Sequence, residues 1–248
     1  MRAFILHLTR ARARKENAVE LLATCGLPGE IWEAVDGKAL SDTDAAAPLS
    51  GRGFEPDYPF DLNRGEIGCF LSHRQIWAEI VRRELAFGLI IEDDVKIDPM
   101  LFGEAQVLGE RNIEKLGVIQ FQKRSPGRPK VVDLEGAALL TQPQVSPLRT
   151  SAQMVSLWAA KQLLDMTAKF DRPIDTYIQS HWHTGLRAGV IYPCGITTIE
   201  DQMDGSTVQE ETGRKAVEII GREWSRFSYR RQVAKFSAAS GAPVVEPT

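Results

Sequence analysis

The apolar positions between residues 65 and 99 follow two different periods. In the first part they recur at spacings of three and four, which predicts an amphipathic helix with one buried face. These positions are Ile67, Phe70, Leu71, Trp77, Ile80 and Val81. After a turn, the continuous apolar run at residues 89–91 predicts a short strand buried on both faces. That strand ends in three consecutive carboxylates, Glu92, Asp93 and Asp94.

The N-terminal part of the chain predicts a strand, a helix and a second strand. Residues 4–8 and 31–35 have strand patterns, and residues 10–25 between them have a helical pattern that Gly26 is suited to end. The inward positions of this helix are predicted to be Val19, Leu21 and Leu22. Together these elements form one βαβ unit, which is how nucleotide-binding sheets begin.

The alternation of helices and strands continues through the rest of the chain. Asp98 and Pro99 suit the N-cap and first turn of a helix that runs to about residue 110. Strands are predicted at 118–121, 150–156 and 187–192, helices at 161–170 and 172–182, and a pairing of 131–132 back onto the first of these strands as a hairpin. The pattern predicts a single α/β domain with a largely parallel central sheet.

One long segment lacks periodicity. Residues 38–64 are rich in Asp, Ala, Pro, Gly and Ser. Loops of this length inside a compact domain are usually functional or disordered. Because the segment leads directly into the helix at residue 65, we expect it to cover the active site.

Composition narrows the class of protein. The chain has 248 residues, of which 43% are hydrophobic and 25% charged, and this is the composition of a globular protein. The net charge of −3 argues against general binding of nucleic acid. Three widely spaced cysteines form neither a disulfide framework nor a zinc motif, and no apolar run is long enough to span a membrane. We therefore expect a cytoplasmic protein.

The acidic triplet is the first candidate for chemistry. In α/β sheets the carboxyl ends of the strands face the ligand crevice. Strand alternation places Glu92 and Asp94 on one side and Asp93 on the other. Adjacent carboxylates repel one another, and a divalent cation with oxygen ligands would relieve this repulsion and neutralise a bound diphosphate. The triplet chemistry alone is equally compatible with an ordinary acidic turn.

Two further groups have both a functional and a structural interpretation. Asp175 follows Arg172 and Pro173, and it is either a general base or the cap of the helix that Pro173 begins. Glu200 and Asp201 are the reserve candidates for the base. Cations just after the first strand, including Arg10 and Arg14, either approach a phosphate or form a solvated helix terminus.

Two histidine motifs are weak candidates. His181 and His183 are two residues apart on a predicted helix and therefore point in different directions, which is a poor arrangement for sharing a metal. Ser72 and His73 are adjacent on a helix, diverge by about 100°, and lack a nucleophile elbow, which argues against a hydrolase triad.

The C-terminal end has a different charge balance. Between residues 214 and 235 there are seven basic residues and two acidic ones, with aromatic residues interleaved. This pattern suits a helix on an anionic membrane surface, and it equally suits a solvated helix packed on its own domain. We predict a main domain at 1–213, a basic amphipathic helix at 214–238 and a flexible tail at 239–248.

The sequence Gly-Glu-Ile-Gly-Cys-Phe-Leu-Ser-His at residues 65–73, followed after one helix by Ile-Ile-Glu-Asp-Asp-Val at 90–95, resembles glycosyltransferase family 25. This family includes the lipooligosaccharide and collagen sugar transferases. The resemblance also covers Leu-His-Leu-Thr-Arg at 6–10 and Ala-Val-Asp-Gly at 34–37, and by motif order it extends over roughly residues 3–208. His7, Gln153 and Thr207 stand where the family usually has Asn, Gly and Asp.

The resemblance implies a GT-A-like fold and an inverting transfer of galactose from UDP-galactose to a hydroxyl of a glycan acceptor. It implies that Asp94 binds a divalent metal, Mn²⁺, that Asp93 faces the sugar, and that Asp175 takes the acceptor proton. It further implies a nucleotide-sugar site formed by Leu8, Arg10, Arg14, Asp36, Gly37, Ser72, His73 and Glu92.

Two other functions remain open at this point. A nucleotidyltransferase would share the fold and the acidic metal site, although it would need a Gly-rich phosphate loop after the first strand. A catalytically inactive sugar-nucleotide-binding or scaffold protein would bind the donor without turning it over.

Overall fold

The computed structural model describes residues 1–51, 53–127, 129–199 and 216–246, and in the last range it describes side chains from residue 221 onwards. Its strands are β1 Arg2–His7, β2 Gly29–Glu33, β3 Phe87–Glu92, β4 Val95–Ile97, β5 Val118–Phe121, β6 Val131–Glu135, β7 Ala138–Thr141, β8 Ala152–Ser156, β9 Gly189–Tyr192 and β10 Ile196–Thr198. Its helices are α1 Lys15–Thr24, α2 Asp42–Ala46, α3 Arg64–Arg82, α4 Pro99–Leu116, α5 Leu157–Met166, α6 Ile174–Gln179, α7 His181–Thr184 and α8 Ala216–Ala238.

A mixed sheet forms the middle layer of the domain. Eight strands are joined in the order β2-β1-β3-β8-β5-β9-β7-β6, and a separate two-stranded sheet joins β10 to β4. The pairings of β1 with β2 and β3, and of β5 with β9, are parallel. Only β8 and β7 of the eight run against the common direction. The prediction of an α/β domain with a largely parallel central sheet is confirmed, and it is consistent with a GT-A-like fold.

Two hydrophobic clusters cover the opposite faces of this sheet. One cluster contains residues of α1 and α4, such as Leu21 and Phe102, and the other contains residues of α3 and α5, such as Trp77 and Leu163. Each strand of the sheet centre is consequently buried on both sides, as the run at 89–91 predicted. The layers therefore follow the order helix, sheet, helix.

The ends of α3 and α4 have clear local causes. The Asn63 side chain accepts a hydrogen bond from the Glu66 N–H, and the Glu66 carboxylate accepts one from the Asn63 N–H, so that a capping box begins α3. Asp98 caps α4 with Pro99 in its first turn, as predicted. Helix α4 runs further than residue 110 because its buried face continues to Leu116, and it ends only where Gly117 has a φ of +74°.

Three local predictions were wrong. Strand β6 pairs with β7, not with β5, because residues 138–141 provide an adjacent partner after a short turn. The helix predicted to run from 172 to 182 is divided at Ser180 into α6 and α7. Val19 is 53% exposed, because α1 begins only at Lys15 and packs through Ala18 and Leu21.

The segment 38–64 is packed on the domain. It contains α2, whose first turn is capped by Ser41. The Trp182 Nε1–H donates to the Glu55 carbonyl at 2.7 Å, and the Phe54 ring stacks on His183 with centroids 3.7 Å apart. Its last part, residues 58–60, contributes two aromatic side chains to a large cavity that is described below.

Helix α8 has one buried face and one exposed face. Tyr229 and Val233 are buried against the domain, and the Tyr229 hydroxyl accepts a hydrogen bond from Arg172 at 3.3 Å. Trp224 and Phe227 are 70% and 53% exposed. Arg214 and Lys215 of the predicted basic helix lie outside the described residues. In the part of the chain that the structure describes, no helix combines the length and apolar character needed to cross a bilayer.

The described part of the predicted flexible tail extends to residue 246 and contacts the domain. The Val245 N–H donates to Gln142 Oε1 at 2.8 Å, and Ser240 Oγ lies 2.8 Å from His181 Nδ1. The flexibility of this segment stays a prediction.

Candidate active site

The carboxyl ends of β1, β2 and β3 meet at one edge of the sheet. In the parallel register, Leu6 of β1 lies opposite Glu92 of β3, and His7 lies opposite Glu33 of β2. A cavity of about 130 Å³, here called the first cavity, opens at this edge. Nine of the predicted site residues line it: Leu8, Arg10, Arg14, Asp36, Gly37, Ser72, Glu92, Asp93 and Asp94.

Glu92 and Asp93 have different partners, although all three carboxylates line the first cavity, because β3 ends at Glu92 and Asp93 lies in the turn after it. Asp93 is buried between two cationic or basic groups, with His7 Nδ1 2.6 Å from Oδ2 and Arg14 Nε 3.1 Å from Oδ1. Burial raises the pKa of Asp93 even though Arg14 and His7 act in the opposite direction. Both oxygens of this carboxylate therefore have partners within the fold, and His7, where the family usually has Asn, provides one of them.

Glu92 points toward α3 and the loop before β8. Thr150 Oγ1 donates to Glu92 Oε1 at 3.0 Å, and His73 Nε2 lies 3.5 Å from the same oxygen. Burial alone would raise the pKa of Glu92, but these two neighbours and the Arg14 charge together hold it below its usual value. Glu92 is consequently an anion that faces the first cavity.

His73 lies behind Glu92 and does not line the first cavity. It is fully buried, and its Nδ1 is 2.9 Å from Gln153 Nε2. Gln153, which stands where the family usually has Gly, is fully buried as well. His73 thus acts on the site through Glu92, in the line Gln153–His73–Glu92.

The wall opposite the acidic triplet is held by polar contacts. Arg10 Nε lies 2.8 Å from Asp36 Oδ2 at the rim. The Ser72 hydroxyl accepts a hydrogen bond from the Val35 N–H at 2.8 Å and donates one to the Gly68 carbonyl at 2.7 Å. Ser72 therefore fixes the loop after β2 against α3, which is a pocket-shaping role.

This wall also depends on a glycine contact between α3 and the loop after β2. A Cβ atom on Gly68 would lie 2.6 Å from the Val35 carbonyl oxygen and 2.7 Å from the Gly37 nitrogen. Both are backbone atoms and neither can rotate away, so any side chain at this position pushes the loop out of place.

We expect Gly68→Ala to lower the free energy of unfolding by about 1–3 kcal/mol, the range found for overpacked positions. Gly103→Ala on α4 is the matched control, because an added Cβ there meets no atom within 4 Å. The control should be neutral, or more stable by up to about 1 kcal/mol because alanine favours the helix. Urea unfolding of both variants measures the difference, and equal stabilities would contradict the close contact.

Asp175 does not line the first cavity, but it lies beside it. It is half-buried in the first turn of α6, where Oδ1 accepts the Thr176 N–H at 2.6 Å and Oδ2 accepts the Arg149 N–H at 3.2 Å. The α6 N-cap is Pro173, which has no side-chain cap bond. Burial raises the pKa of Asp175, and the negative charge of Glu92 raises it further.

Cys69 marks the point where the carboxylates converge. Its thiol lines the first cavity. Burial raises its pKa well above the usual value, and four negative charges raise it further, in the order Glu92, Asp175, Asp94 and Glu66. Asp175 is therefore in the same electrostatic environment as the acidic triplet, although 80 residues of sequence separate them.

This convergence is suited to a cation. Carboxylate oxygens are the ligands that Mg²⁺ and Mn²⁺ prefer, and Glu92 and Asp94 both line the first cavity. Cys69, His73 and Glu92 also bring one ligand atom each to within 4.8 Å of one another. His73 Nε2 is directed at Glu92 Oε1, 3.5 Å away, while Nδ1 accepts from the Gln153 amide, so His73 supports the carboxylate from behind. The carboxylate oxygens on the cavity side therefore fit a divalent cation.

Several residues of the site were missed by sequence reasoning. The Asn17 side chain of α1 donates to the carbonyls of Asp93 and Val95, each at 2.8 Å, and so anchors the turn after β3. An asparagine on the otherwise apolar inner face of α1 was the available signal. Arg149 gave no signal, and Thr150 was predicted as the first residue of a strand, whereas β8 begins only at Ala152. The reserve candidates Glu200 and Asp201 lie outside the described residues.

The two histidines of α7 have separate environments. His181 Nε2 is 2.9 Å from the Gln144 carbonyl, whereas the His183 ring stacks on Phe54. Burial lowers the pKa of both rings, so that the neutral form is favoured.

Comparison with known proteins matches most of this chain to one family. The model of glycosyltransferase family 25 (LPS biosynthesis protein) matches residues 1–178. A glycosyltransferase 25 family member of Drosophila melanogaster is 34% identical over 169 residues, which is 66% of this chain and 27% of that protein. Human procollagen galactosyltransferase 2 is 40% identical over 99 residues, or 38% of this chain and 16% of that protein.

A human relative with the name inactive glycosyltransferase 25 family member 3 is 34% identical over 141 residues, which is 54% of this chain and 23% of that protein. The chain thus spans about a quarter or less of the length of these relatives. The family model covers well over half of the chain. All the residues that line the first cavity lie within the matched range. The chain therefore belongs to glycosyltransferase family 25.

Proposed function

We propose that this protein transfers a galactosyl group from UDP-galactose to a hydroxyl of a glycan acceptor, with inversion at the sugar carbon. The observation that carries the proposal is the first cavity, which the acidic triplet and two arginines line at the carboxyl end of a parallel strand set, with the Asp175 carboxylate acting on the same Cys69 thiol. Galactose is the proposed sugar because relatives in the family are named procollagen galactosyltransferases.

The donor would bind in an extended position. Sites for molecules of this size usually exceed about 300 Å³. The first cavity has about 130 Å³ and suits part of the nucleotide, next to Asp36 and Gly37. Arg10 and Arg14 line the same cavity and would contact the diphosphate, and the sugar would extend beyond the cavity toward Asp175.

The metal proposal assigns the cation to Asp94, with Glu92 beside it, and Mn²⁺ is the proposed ion. When bound, a divalent cation supplies positive charge next to the diphosphate leaving group. The residues of this chain would do the rest: Arg14 adds a fixed cation, Asn17 holds the backbone of the triplet, and Thr150 orients Glu92. Asp93, predicted to face the sugar, lines the same cavity while His7 and Arg14 hold its oxygens.

Asp175 is the proposed general base. It would accept the proton of the acceptor hydroxyl while that oxygen forms a bond to the sugar carbon and the bond to the diphosphate breaks, so that UDP leaves. A carboxylate with a raised pKa is better suited to this transfer than a fully solvated one. Attack from the side opposite to UDP gives inversion.

The proposed acceptor is a cell-surface glycan such as lipooligosaccharide, which fits the description of the family model. For location we propose the cytoplasm, with contact to the anionic inner face of a membrane. Support comes from the exposed face of α8, where Trp224 and Phe227 stand next to each other and Arg231 lies 5.8 Å from the Phe227 ring.

A screen of UDP-sugars for hydrolysis by the purified protein tests the proposal. We expect UDP release from UDP-galactose that stops with EDTA and returns with Mn²⁺. The second candidate function, a family member that binds the donor without turnover, is favoured by the relatives named inactive. Binding of UDP-galactose without hydrolysis and without transfer would support that candidate and overturn the proposal of an active transferase.

A further inference from the structure

A second cavity of about 740 Å³ lies between α8, the loop after β5 and the loop before β8. One part of its wall is apolar or aromatic, with Tyr58, Phe60, Leu148 and Val233. Aromatic faces of this kind are suited to stack against sugar rings or to cover an alkyl chain. The cavity is therefore large enough, and apolar enough, for an amphipathic ligand.

The same cavity carries a concentration of positive charge. Five cationic side chains line it and, among the described residues, no carboxylate does: Lys123, Arg124, Arg149, Arg226 and Arg230. Arg226 is paired with Glu223, and Lys123 donates to Thr198. Within the described ranges neither Arg124 nor Arg230 has an ion-pair partner. A ligand in this cavity would meet uncompensated guanidinium groups, which bind phosphate in a bidentate manner.

The second cavity adjoins the proposed catalytic base. Arg149 and Thr176 line it, and their backbone N–H groups are the two that bind the Asp175 carboxylate. Arg149 has a φ of +97°, a conformation that is strained for a residue with a side chain. Thr150, the next residue, donates to Glu92 in the first cavity. A ligand in the second cavity would consequently contact the two residues whose N–H groups bind Asp175.

We propose that the second cavity binds the acceptor, and that this acceptor carries a phosphate group next to an apolar or sugar moiety. That the ligand is the acceptor rests on the proposed function. That it carries a phosphate group and an apolar or sugar moiety rests on the residues that line the cavity. Arg124 and Arg230 bind the phosphate, Tyr58 and Phe60 cover the rest of the ligand, and the free hydroxyl reaches Asp175.

Calorimetric titration of the full-length protein with octyl phosphate tests the recognition chemistry. Octyl glucoside is the uncharged comparison, and inorganic phosphate is the comparison that lacks an alkyl group. We expect octyl phosphate to bind at least about 10-fold more tightly than either comparison, and we expect its affinity to fall as salt is added. Arg124→Gln and the double variant Arg124→Gln/Arg230→Gln should each lower the affinity for octyl phosphate, the double variant by at least about 10-fold.

Arg231→Gln is the matched control, because Arg231 is on the exposed face of α8 near Phe227. It should bind octyl phosphate as the unmodified chain does. Equal binding of octyl glucoside, equal binding of inorganic phosphate, or unchanged binding in the double variant would each overturn the proposal. Arg124 lies on an exposed loop, so that its single variant reports on binding even if the double variant unfolds. UDP-galactose hydrolysis and galactosyl transfer by the unmodified chain are measured in parallel, and the absence of both would overturn the proposed function and leave the binding result in place.

Discussion

Replacing Asp94 with asparagine is expected to reduce UDP-galactose hydrolysis by at least about 100-fold, which corresponds to about 2.7 kcal/mol of transition-state stabilisation. Asparagine keeps the shape of the side chain and removes its charge. Asp94 is one of four carboxylates that act on Cys69, so removing its charge lessens their mutual repulsion. The variant should therefore be as stable as the unmodified chain, or slightly more stable, when no metal is added.

A second measurement separates metal binding from catalysis. Mn²⁺ should raise the melting temperature of the unmodified chain, because a ligand that binds only the folded state stabilises it, and it should have little effect on Asp94→Asn. Asp165→Asn, an exposed position on α5, is the matched control and should respond to Mn²⁺ as the unmodified chain does. If Asp94→Asn retained both full hydrolysis and the Mn²⁺ response, the assignment of the metal to Asp94 would be wrong.

Asp175→Asn is expected to lower the rate of transfer to an acceptor by about 100- to 10,000-fold, the usual contribution of a general base. Slow hydrolysis of the donor should fall less, because water is small and its attack does not require the same position. Asparagine has a single side-chain oxygen, so it keeps the hydrogen bond from the Thr176 N–H at the start of α6 and loses the one from the Arg149 N–H.

The pH dependence gives an independent check on Asp175. Its pKa is raised by burial, and a base is active only when deprotonated, so transfer by the unmodified chain should fall as the pH decreases through that raised pKa. Asp175→Asn has no carboxylate to protonate at this position, so the fall of its transfer rate at low pH should be absent. A pH profile with the same acid limb in the variant would assign the base to another residue.

The elements with strong local signals were predicted well. The period of the apolar positions was enough for α3 and β3, and the Asp98–Pro99 pair was enough for the start of α4. The pairing of β6 was not predictable in this way, because the choice between β5 and β7 depends on which sheet edge is open in three dimensions. The break at Ser180 was not predictable either, because the residue at that position is neither proline nor glycine.

The site was predictable to the extent that side chains carry its chemistry. The acidic triplet, Arg10, Arg14 and Asp36 are all recognisable from residue type and position, and they surround one cavity. Arg149 was not recognisable, because it acts on Asp175 through its backbone N–H, which every residue except proline has. The second cavity was equally hidden, since its cations come from segments about 100 residues apart, at 123–124 and 226–230.

The hydrogen bonds of Arg149 and Thr150 join the two halves of the site. The Arg149 N–H binds the Asp175 carboxylate and the Thr150 hydroxyl binds Glu92, so two consecutive residues link these two carboxylates. Occupation of the first cavity that shifts Glu92 would also move the group that receives the acceptor proton. Steady-state kinetics of such a site should follow a compulsory order, with the nucleotide-sugar entering before the acceptor and UDP departing last.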